Sequence, residues 1–138
     1  MSALVLDCSI AVSWCFEDEA SEATDQLLLK VQEQGALVPA LWYLEFGNVL
    51  IQAKKKGRIS EIQLMAGMDL IRQLPITTDN INPDKIMSKI MLLATQHHLT
   101  TYDAAYLELA LRSNLPLATK DNNLRKAANK LGILILPK

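Results

Sequence analysis

The sequence predicts an α/β fold, namely a three-layer α/β/α sandwich with a central and mainly parallel sheet. Five short apolar runs with strand character alternate along the chain with longer segments of helical periodicity. Strands that are separated by helices usually pair in parallel, with helices covering both faces of the sheet. Half of the 138 residues are apolar and 21% are charged, which predicts one domain over residues 1–138 and excludes a disordered chain.

The first half of the chain begins with an apolar strand over residues 3–6 that ends at Asp7. We expect Ser9 to cap a short helix that continues to about Phe16. The next elements are an acidic helix over 19–34 that ends at Gly35, a strand over 36–38 before Pro39, and a helix over 41–55 whose lysines lie at its carboxyl end.

The second half contains two clear helix-start signals. Ser60 and Gln63 form a capping-box pattern for a helix to about residue 74, and Asn82-Pro83 is an N-cap and N1 pair that starts a helix to about residue 97. The remaining elements are a strand over 75–78, a helix over 102–113, a strand over 115–119, a helix over 122–131 and a strand over 133–135. In a parallel sheet of this kind, the functional site lies at the carboxyl ends of the strands.

The cysteine content and the apolar runs limit the possible environments. Cys8 and Cys15 are too few for a disulfide framework, and on one helix their Cα atoms would lie about 10 Å apart, whereas a disulfide needs less than about 7 Å. The longest apolar runs are far shorter than the ~20 residues that cross a bilayer, and the amino end does not resemble a signal peptide. We therefore expect a cytoplasmic protein with no membrane partner.

Charge is distributed unevenly along the chain. Residues 1–53 contain eight acids and one base, whereas residues 54–138 contain seven acids and thirteen bases. Such asymmetry most often reflects solvated surfaces of opposite sign, but it also suits a basic face for a polyanion. In the second interpretation the cations that bind the polyanion are Lys54, Lys55, Lys56, Arg58, Lys120 and Arg125, with Lys126 and Lys130 nearby.

Four carboxylates stand apart from the solvated acidic runs. Asp7 ends the first strand, and Asp121 follows a later strand end at Thr119. Glu45 lies in an otherwise apolar stretch, and Asp103 begins a helix at the border of its buried face. Taken singly, each has an ordinary explanation as a helix cap, a first-turn residue or an ion-pair partner. Together at one rim they would repel one another unless divalent cations held them ionised, and oxygen ligands without His or Cys favour Mg²⁺ or Mn²⁺.

Four segments of the chain match a known family in their order and spacing. They are LVLDCSIAVSW (4–14), PALWYLEFGNVL (39–50), TTYDAAYLELAL (100–111) and LATKDNNLRKAA (117–128). In these segments the chain resembles the PIN domain, and within that family the VapC-type toxins of bacterial and archaeal toxin–antitoxin pairs. The resemblance extends from Leu4 to Leu136 and implies a PIN-like fold.

The resemblance also implies an activity. VapC-type toxins are endoribonucleases that use Mg²⁺ or Mn²⁺, leave a 5′-phosphate and a 3′-hydroxyl, are held inactive by a VapB-type antitoxin and commonly form homodimers. By motif, Asp7, Asp103 and Asp121 match the metal-binding acids, and together with Glu45 they match the catalytic set. Residues that match groups orienting these carboxylates or contacting phosphate are Ser9, Asn48 and Thr119.

Two alternatives remain open from the sequence. One is a catalytically inactive PIN-like domain that only binds a partner. The other is a receiver-type phospho-acceptor domain, which would show a tandem acidic pair after the first strand, whereas Cys8 follows Asp7 here.

Aromatic and histidine residues favour structural roles. We expect at least two of the four aromatic residues near the first and third helices to lie in the core, and the others to line a groove for a partner helix. These residues are Trp14, Phe16, Trp42 and Tyr43. We expect His97 and His98, at the end of a helix, to be structural.

Overall fold

The computed structural model describes residues 2–138 and contains a five-stranded sheet. The strands are β1 Leu4–Leu6, β2 Ala36–Pro39, β3 Ile76–Asp79, β4 Leu117–Ala118 and β5 Ile135–Leu136. Their spatial order is β3-β2-β1-β4-β5, and every neighbouring pair is parallel. The predicted α/β class is therefore confirmed, with a sheet that is entirely parallel.

Helices connect the strands. They are α1 Cys8–Ser13, α2 Glu22–Gln34, α3 Trp42–Lys55, α4 Glu61–Arg72, α5 Pro83–Lys85, α6 Met91–His97, α7 Thr101–Ser113 and α8 Asn122–Lys130. A π-helical turn over Ile86–Ile90 joins α5 to α6 and interrupts the single helix that the sequence predicts there. Across residues 2–138, none of these helices is long and apolar enough to span a bilayer.

Most of the predicted helix starts are confirmed, but one is wrong. The Ser60 hydroxyl accepts the Gln63 N–H as predicted, and Asn82 caps α5 through its side chain. The prediction that Ser9 caps the first helix is wrong. Asp7 is in the extended conformation at the cap position, and Ser9 lies one residue inside α1, where its hydroxyl donates to the Asp7 carboxylate instead.

The acidic helix begins at Glu22, later than predicted. Ser21 and Thr24 form a capping box at its start, and the preceding acids form a separate 3-10 turn, Glu17–Glu19. The helix ends at Gly35 as expected. Gly35 has φ +82°, and a Cβ at this position would lie 2.9 Å from the Pro75 carbonyl oxygen, so only glycine fits this turn.

The central strand β1 is completely buried, and its carboxyl end defines the functional edge of the sheet. Asp7 follows β1, and Thr119 follows β4 on the neighbouring strand. Because the two strands are parallel, both residues emerge at the same edge. Both cysteines are free thiols, as predicted, and Cys8 is buried with its Sγ 3.7 Å from the Trp42 carbonyl oxygen.

Candidate active site

The centre of the candidate active site is Asp7, whose residue surface is only 8% exposed. Its Oδ2 accepts hydrogen bonds from Ser9 Oγ at 2.7 Å and from Thr119 Oγ1 at 2.6 Å. The same hydroxyls accept backbone N–H groups, Ser9 from Lys120 at 2.9 Å and Thr119 from Asp121 at 3.0 Å. This network fixes the end of β1 against the loop that leads from β4 into α8.

Electrostatics favour the protonated form of this buried carboxyl group. Burial raises the pKa of Asp7, the hydrogen bonds from Thr119 and Ser9 lower it, and the negative charge of Asp121 raises it again. The net pKa is above the ordinary value because desolvation is the largest effect. A nearby positive charge would favour the ionised form of Asp7.

Glu45 comes from α3 and is half-buried. Its Oε1 accepts a 2.6 Å hydrogen bond from the Tyr106 hydroxyl. Burial raises the pKa of Glu45, the Tyr106 bond lowers it, and the charges of Asp7 and Asp103 raise it further. Glu45 is thus electrostatically coupled to the carboxylates of β1 and α7.

Asp103 lies in the first turn of α7, and its N–H donates to the capping hydroxyl of Thr100. Burial raises the pKa of Asp103, and the charges of Asp121 and Asp7 raise it further. Asp121 is the N-cap of α8, and its Oδ1 accepts the Leu124 N–H at 3.0 Å. Asp103 is thus a first-turn residue and Asp121 a helix N-cap, which are the ordinary explanations for such acids. Both also interact electrostatically with the other carboxylates.

The four predicted acids are brought to one edge of the sheet, where each is electrostatically coupled to at least one of the others. Oxygen donors with repelling charges suit a hard divalent cation, which would relieve that repulsion. In residues 2–138, no group of three or more His, Cys, Asp or Glu side chains is arranged to hold a metal ion. The four acids therefore lie near one another without forming a ready-made metal site within this part of the chain, although oxygen donors of this kind are those that Mg²⁺ and Mn²⁺ prefer.

The three residues that were predicted to orient carboxylates or contact phosphate lie in different surroundings. Ser9 and Thr119 contact Asp7 directly, whereas Asn48 is exposed on α3. Tyr106 contacts Glu45, and sequence reasoning missed it. Its signal was the spacing Asp103-x-x-Tyr106, which puts both side chains on one face of a helix.

The predicted RNA-binding cations fall into two groups. Arg58 donates to Asp18 and Glu19 and lies 4.1 Å above the Phe16 ring, and Lys120 Nζ is 3.7 Å from Glu19. Arg58 and Lys120 therefore both contact Glu19.

The other four cations lie elsewhere on the surface. Arg125 donates to the Thr119 and Pro137 carbonyl oxygens, so its guanidinium links the residue after β4 to the residue after β5. Lys54 pairs with Glu61 at 3.5 Å, and Lys55 and Lys56 are exposed at the end of α3.

Two of the four aromatic residues lie in the core, as predicted: Phe16 and Trp42 are buried. Trp14 is half-buried and its Nε1 donates to the Thr24 carbonyl oxygen at 2.8 Å. Tyr43 is exposed and lines an apolar groove between α3 and α4 with a volume of about 340 Å³. The other residues of this groove are Phe46, Gly47, Leu50, Ile51, Leu64, Met68, Ile71 and Arg72.

A parallel sheet with four coupled carboxylates at its carboxyl edge defines an α/β protein with an acidic cluster at that edge. The PIN domain family model matches residues 4–130, and the chain belongs to this family. Among curated relatives, Ribonuclease VapC1 of Mycobacterium tuberculosis (strain H37Rv) is 32% identical over 127 residues, which is 92% of each chain. Ribonuclease VapC3 of Pyrobaculum aerophilum is 26% identical over 97% of this chain and 98% of its own.

Two solved structures share the fold. A crystal structure of a Pyrobaculum aerophilum protein superposes with a TM-score of 0.71 at 23% identity, covering 98% of this chain and 91% of that one. A toxin–antitoxin complex from Klebsiella pneumoniae gives a TM-score of 0.56 at 20% identity, covering 86% and 87%. Membership of the PIN-domain family excludes the receiver-type alternative.

Proposed function

We propose that this protein is the toxin of a VapBC-type toxin–antitoxin pair, a cytoplasmic endoribonuclease that depends on Mg²⁺ or Mn²⁺. The observation that carries the proposal is the set of four carboxylates, from the ends of β1 and β4 and from α3 and α7, that couple to one another at one edge of the sheet. Relatives that span nearly the whole chain are named ribonucleases, which supports RNA as the substrate.

Asp7, Asp103 and Asp121 would hold the cation, which when bound supplies Lewis acidity and offsets the charge that develops on the phosphate. Ser9 and Thr119 keep the Asp7 carboxylate in one orientation through their hydrogen bonds to Oδ2. The role of these hydroxyls is therefore to orient a ligand rather than to react.

Glu45 orients the attacking water and accepts its proton. Its pKa is raised by burial and by neighbouring negative charge, which brings the group closer to the pH at which a general base works well. The water oxygen bonds to phosphorus, and the ribose 3′ oxygen leaves with the electron pair of its bond to phosphorus and takes up a proton from solvent. The released fragments then carry a 3′-hydroxyl and a 5′-phosphate.

RNA binding requires positive charge near a cluster of carboxylates that is itself negative. Lys120 lies between Thr119 and Asp121 at the rim, and the exposed Lys55 and Lys56 extend the basic surface. These lysines would contact phosphates and offset the repulsion from the acids. Asn48, exposed one turn after Glu45, would contact the phosphate rather than orient the carboxylate.

The apolar groove between α3 and α4 is the proposed docking site for a helix of the VapB-type antitoxin. It is lined almost entirely by apolar side chains, and amphipathic helices bind such grooves through a stripe of apolar residues. We also propose a homodimer. Exposed apolar side chains around the π-helical turn, such as Met87, Met91 and Leu92, offer a surface for the second copy.

The test is cleavage of a mixed RNA pool by purified protein with Mg²⁺, with Mn²⁺ and with EDTA. The proposal predicts cutting with either metal, none with EDTA, and new 5′-phosphate ends. RNA binding without cleavage under all three conditions, by folded protein free of a bound inhibitor, would instead favour the inactive binding module.

A further inference from the structure

Tyr106 is completely buried, yet it ends in a hydroxyl group. A hydroxyl cannot be buried without a partner except at a substantial free-energy cost. The partner in this structure is Glu45 Oε1, at 2.6 Å and 61 residues away along the chain. A short bond to a carboxylate is of the stronger, charge-assisted kind.

The hydrogen bond from Tyr106 counteracts an electrostatic repulsion that acts on the Glu45 carboxylate. The charges of Asp7 and Asp103 both disfavour ionised Glu45 at this position. A glutamate side chain has several rotatable bonds, so an unrestrained carboxylate would move away from these neighbours. The Tyr106 hydroxyl donates to ionised Glu45 and favours its charged form where it stands.

The element that carries Tyr106 also carries Asp103. The two residues are three positions apart on α7 and therefore share a face of the helix. A single rigid helix thus positions one predicted metal ligand and the hydroxyl group that restrains Glu45. Asn48, which the family resemblance matches to a group that orients a carboxylate or contacts phosphate, is exposed on α3.

We propose that Tyr106 is a positioning residue for RNA cleavage, which holds the Glu45 carboxylate in the geometry needed to orient the attacking water. This inference rests on the proposed function. The proposed role belongs to the Tyr106 hydroxyl group alone, since a phenylalanine ring would fill the same space in the core.

The experiment compares wild type, Tyr106→Phe, Glu45→Gln and the double variant, with Tyr102→Phe as the control. Tyr102 is an exposed tyrosine on the same helix. Single-turnover and steady-state cleavage of an RNA oligonucleotide in Mg²⁺ give kcat and KM. In the metal-free protein at one fixed pH, carbon-13 NMR of the glutamate carboxylate carbons reports on Glu45 directly, and the Glu45→Gln spectrum identifies its signal.

Tyr106→Phe is expected to lower kcat by roughly 10- to 100-fold with KM changed by less than about twofold. In the Glu45→Gln background the same change is expected to have no further effect, because the hydroxyl acts only through Glu45. The Glu45 carbon signal should move in Tyr106→Phe and stay in place in Tyr102→Phe.

Two outcomes would overturn the inference while leaving the nuclease intact. One is a kcat for Tyr106→Phe equal to that of wild type, or an equal loss with and without Glu45. The other is an unmoved Glu45 signal in Tyr106→Phe. A wild type that cleaves no RNA with either metal would instead overturn the proposed function, and with it any positioning role in cleavage.

Discussion

Thr119 Oγ1 donates to Asp7 Oδ2 over 2.6 Å, joining the carboxyl ends of β1 and β4 across 112 residues of sequence. Ser9 donates to the same oxygen at 2.7 Å. Both hydroxyls are thus committed to orienting one buried carboxylate. Because both bonds converge on Oδ2, an asparagine amide oxygen in that position could accept both.

Asp7→Asn is therefore expected to stabilise the metal-free protein while removing its activity. The raised pKa of Asp7 means that the folded state binds its proton more tightly than the unfolded chain does. Stability is then fully present below the unfolded value near 3.8 and falls as the pH rises through the folded pKa. At pH 7 in EDTA, urea unfolding should therefore give the variant a larger unfolding free energy than wild type.

The gain should shrink as the pH falls and approach zero only well below the unfolded value of 3.8, where Asp7 is protonated in both states. Thr119→Val serves as the opposite control, because it removes a donor from the same oxygen and should destabilise the protein. An Asp7→Asn variant that is less stable than wild type at pH 7 would contradict the electrostatic account of Asp7.

RNA affinity should depend more on Lys55 and Lys56 than on Arg58. The two lysines are exposed, whereas the Arg58 guanidinium already binds Asp18 and Glu19. In an Asp7→Asn background, which binds without cutting, Lys55→Gln and Lys56→Gln should each reduce the slope of log affinity against log salt by about 0.7. Fluorescence anisotropy with a labelled RNA measures this slope.

Lys30→Gln, in the acidic half of the chain, is the matched control and should leave the slope unchanged. Arg58→Gln should lower the melting temperature, because it breaks the contacts with Asp18, Glu19 and Phe16. It should reduce the RNA affinity less than either lysine change does. A larger loss of affinity from Arg58→Gln than from either lysine change would show that RNA displaces those acids.

The ion pair between Arg112 and Glu108 involves residues that have no part in the proposed chemistry. Glu108 is only 3% exposed and accepts from Arg112 Nε at 2.8 Å, while the Arg112 guanidinium also binds Asp79 at the end of β3. Arg112→Met leaves a buried charge without its partner and should cost about 3 kcal/mol of unfolding free energy. The double variant with Glu108→Leu should recover most of that loss, and cleavage per folded molecule should stay at the wild-type rate.

The groove between α3 and α4 can be blocked at Gly47 with little effect on the core. A Cβ at this position would meet no atom within 4 Å, so Gly47→Leu should project into the groove and also improve helix propensity. Co-expressed antitoxin should then fail to copurify, whereas Gln52→Leu, an exposed position on the same helix, should leave copurification intact. Unchanged copurification with Gly47→Leu would place the antitoxin elsewhere.

Local signals explain what the sequence could predict. The Ser60–Gln63 capping box, the Asn82-Pro83 pair and the apolar strands depend on neighbouring residues, and these predictions are confirmed apart from shifted boundaries and the Ser9 cap. Asp7 and Asp121 could be placed at one edge because strands of a parallel sheet end together. The metal and RNA roles of the acids and cations stay predictions.

Contacts between distant segments could not be predicted from one sequence. Glu45 on α3 and Tyr106 on α7 meet only in the folded chain, and the Arg58 contacts with Asp18 and Glu19 likewise join separate elements. The π-helical turn Ile86–Ile90 is also absent from the local pattern, because the apolar periodicity there fits an ordinary helix.

The central claim is that the clustered acids bind a divalent cation that RNA cleavage requires. Its most direct test is calorimetric titration of Mn²⁺ into metal-free wild type, Asp7→Asn and Asp103→Asn, with RNA cleavage measured on the same preparations. The account predicts Mn²⁺ binding and cleavage by wild type, with Mn²⁺ affinity at least roughly tenfold weaker and cleavage abolished in both folded variants. Cleavage that persists in EDTA, or wild-type Mn²⁺ affinity and cleavage in Asp7→Asn, would contradict it.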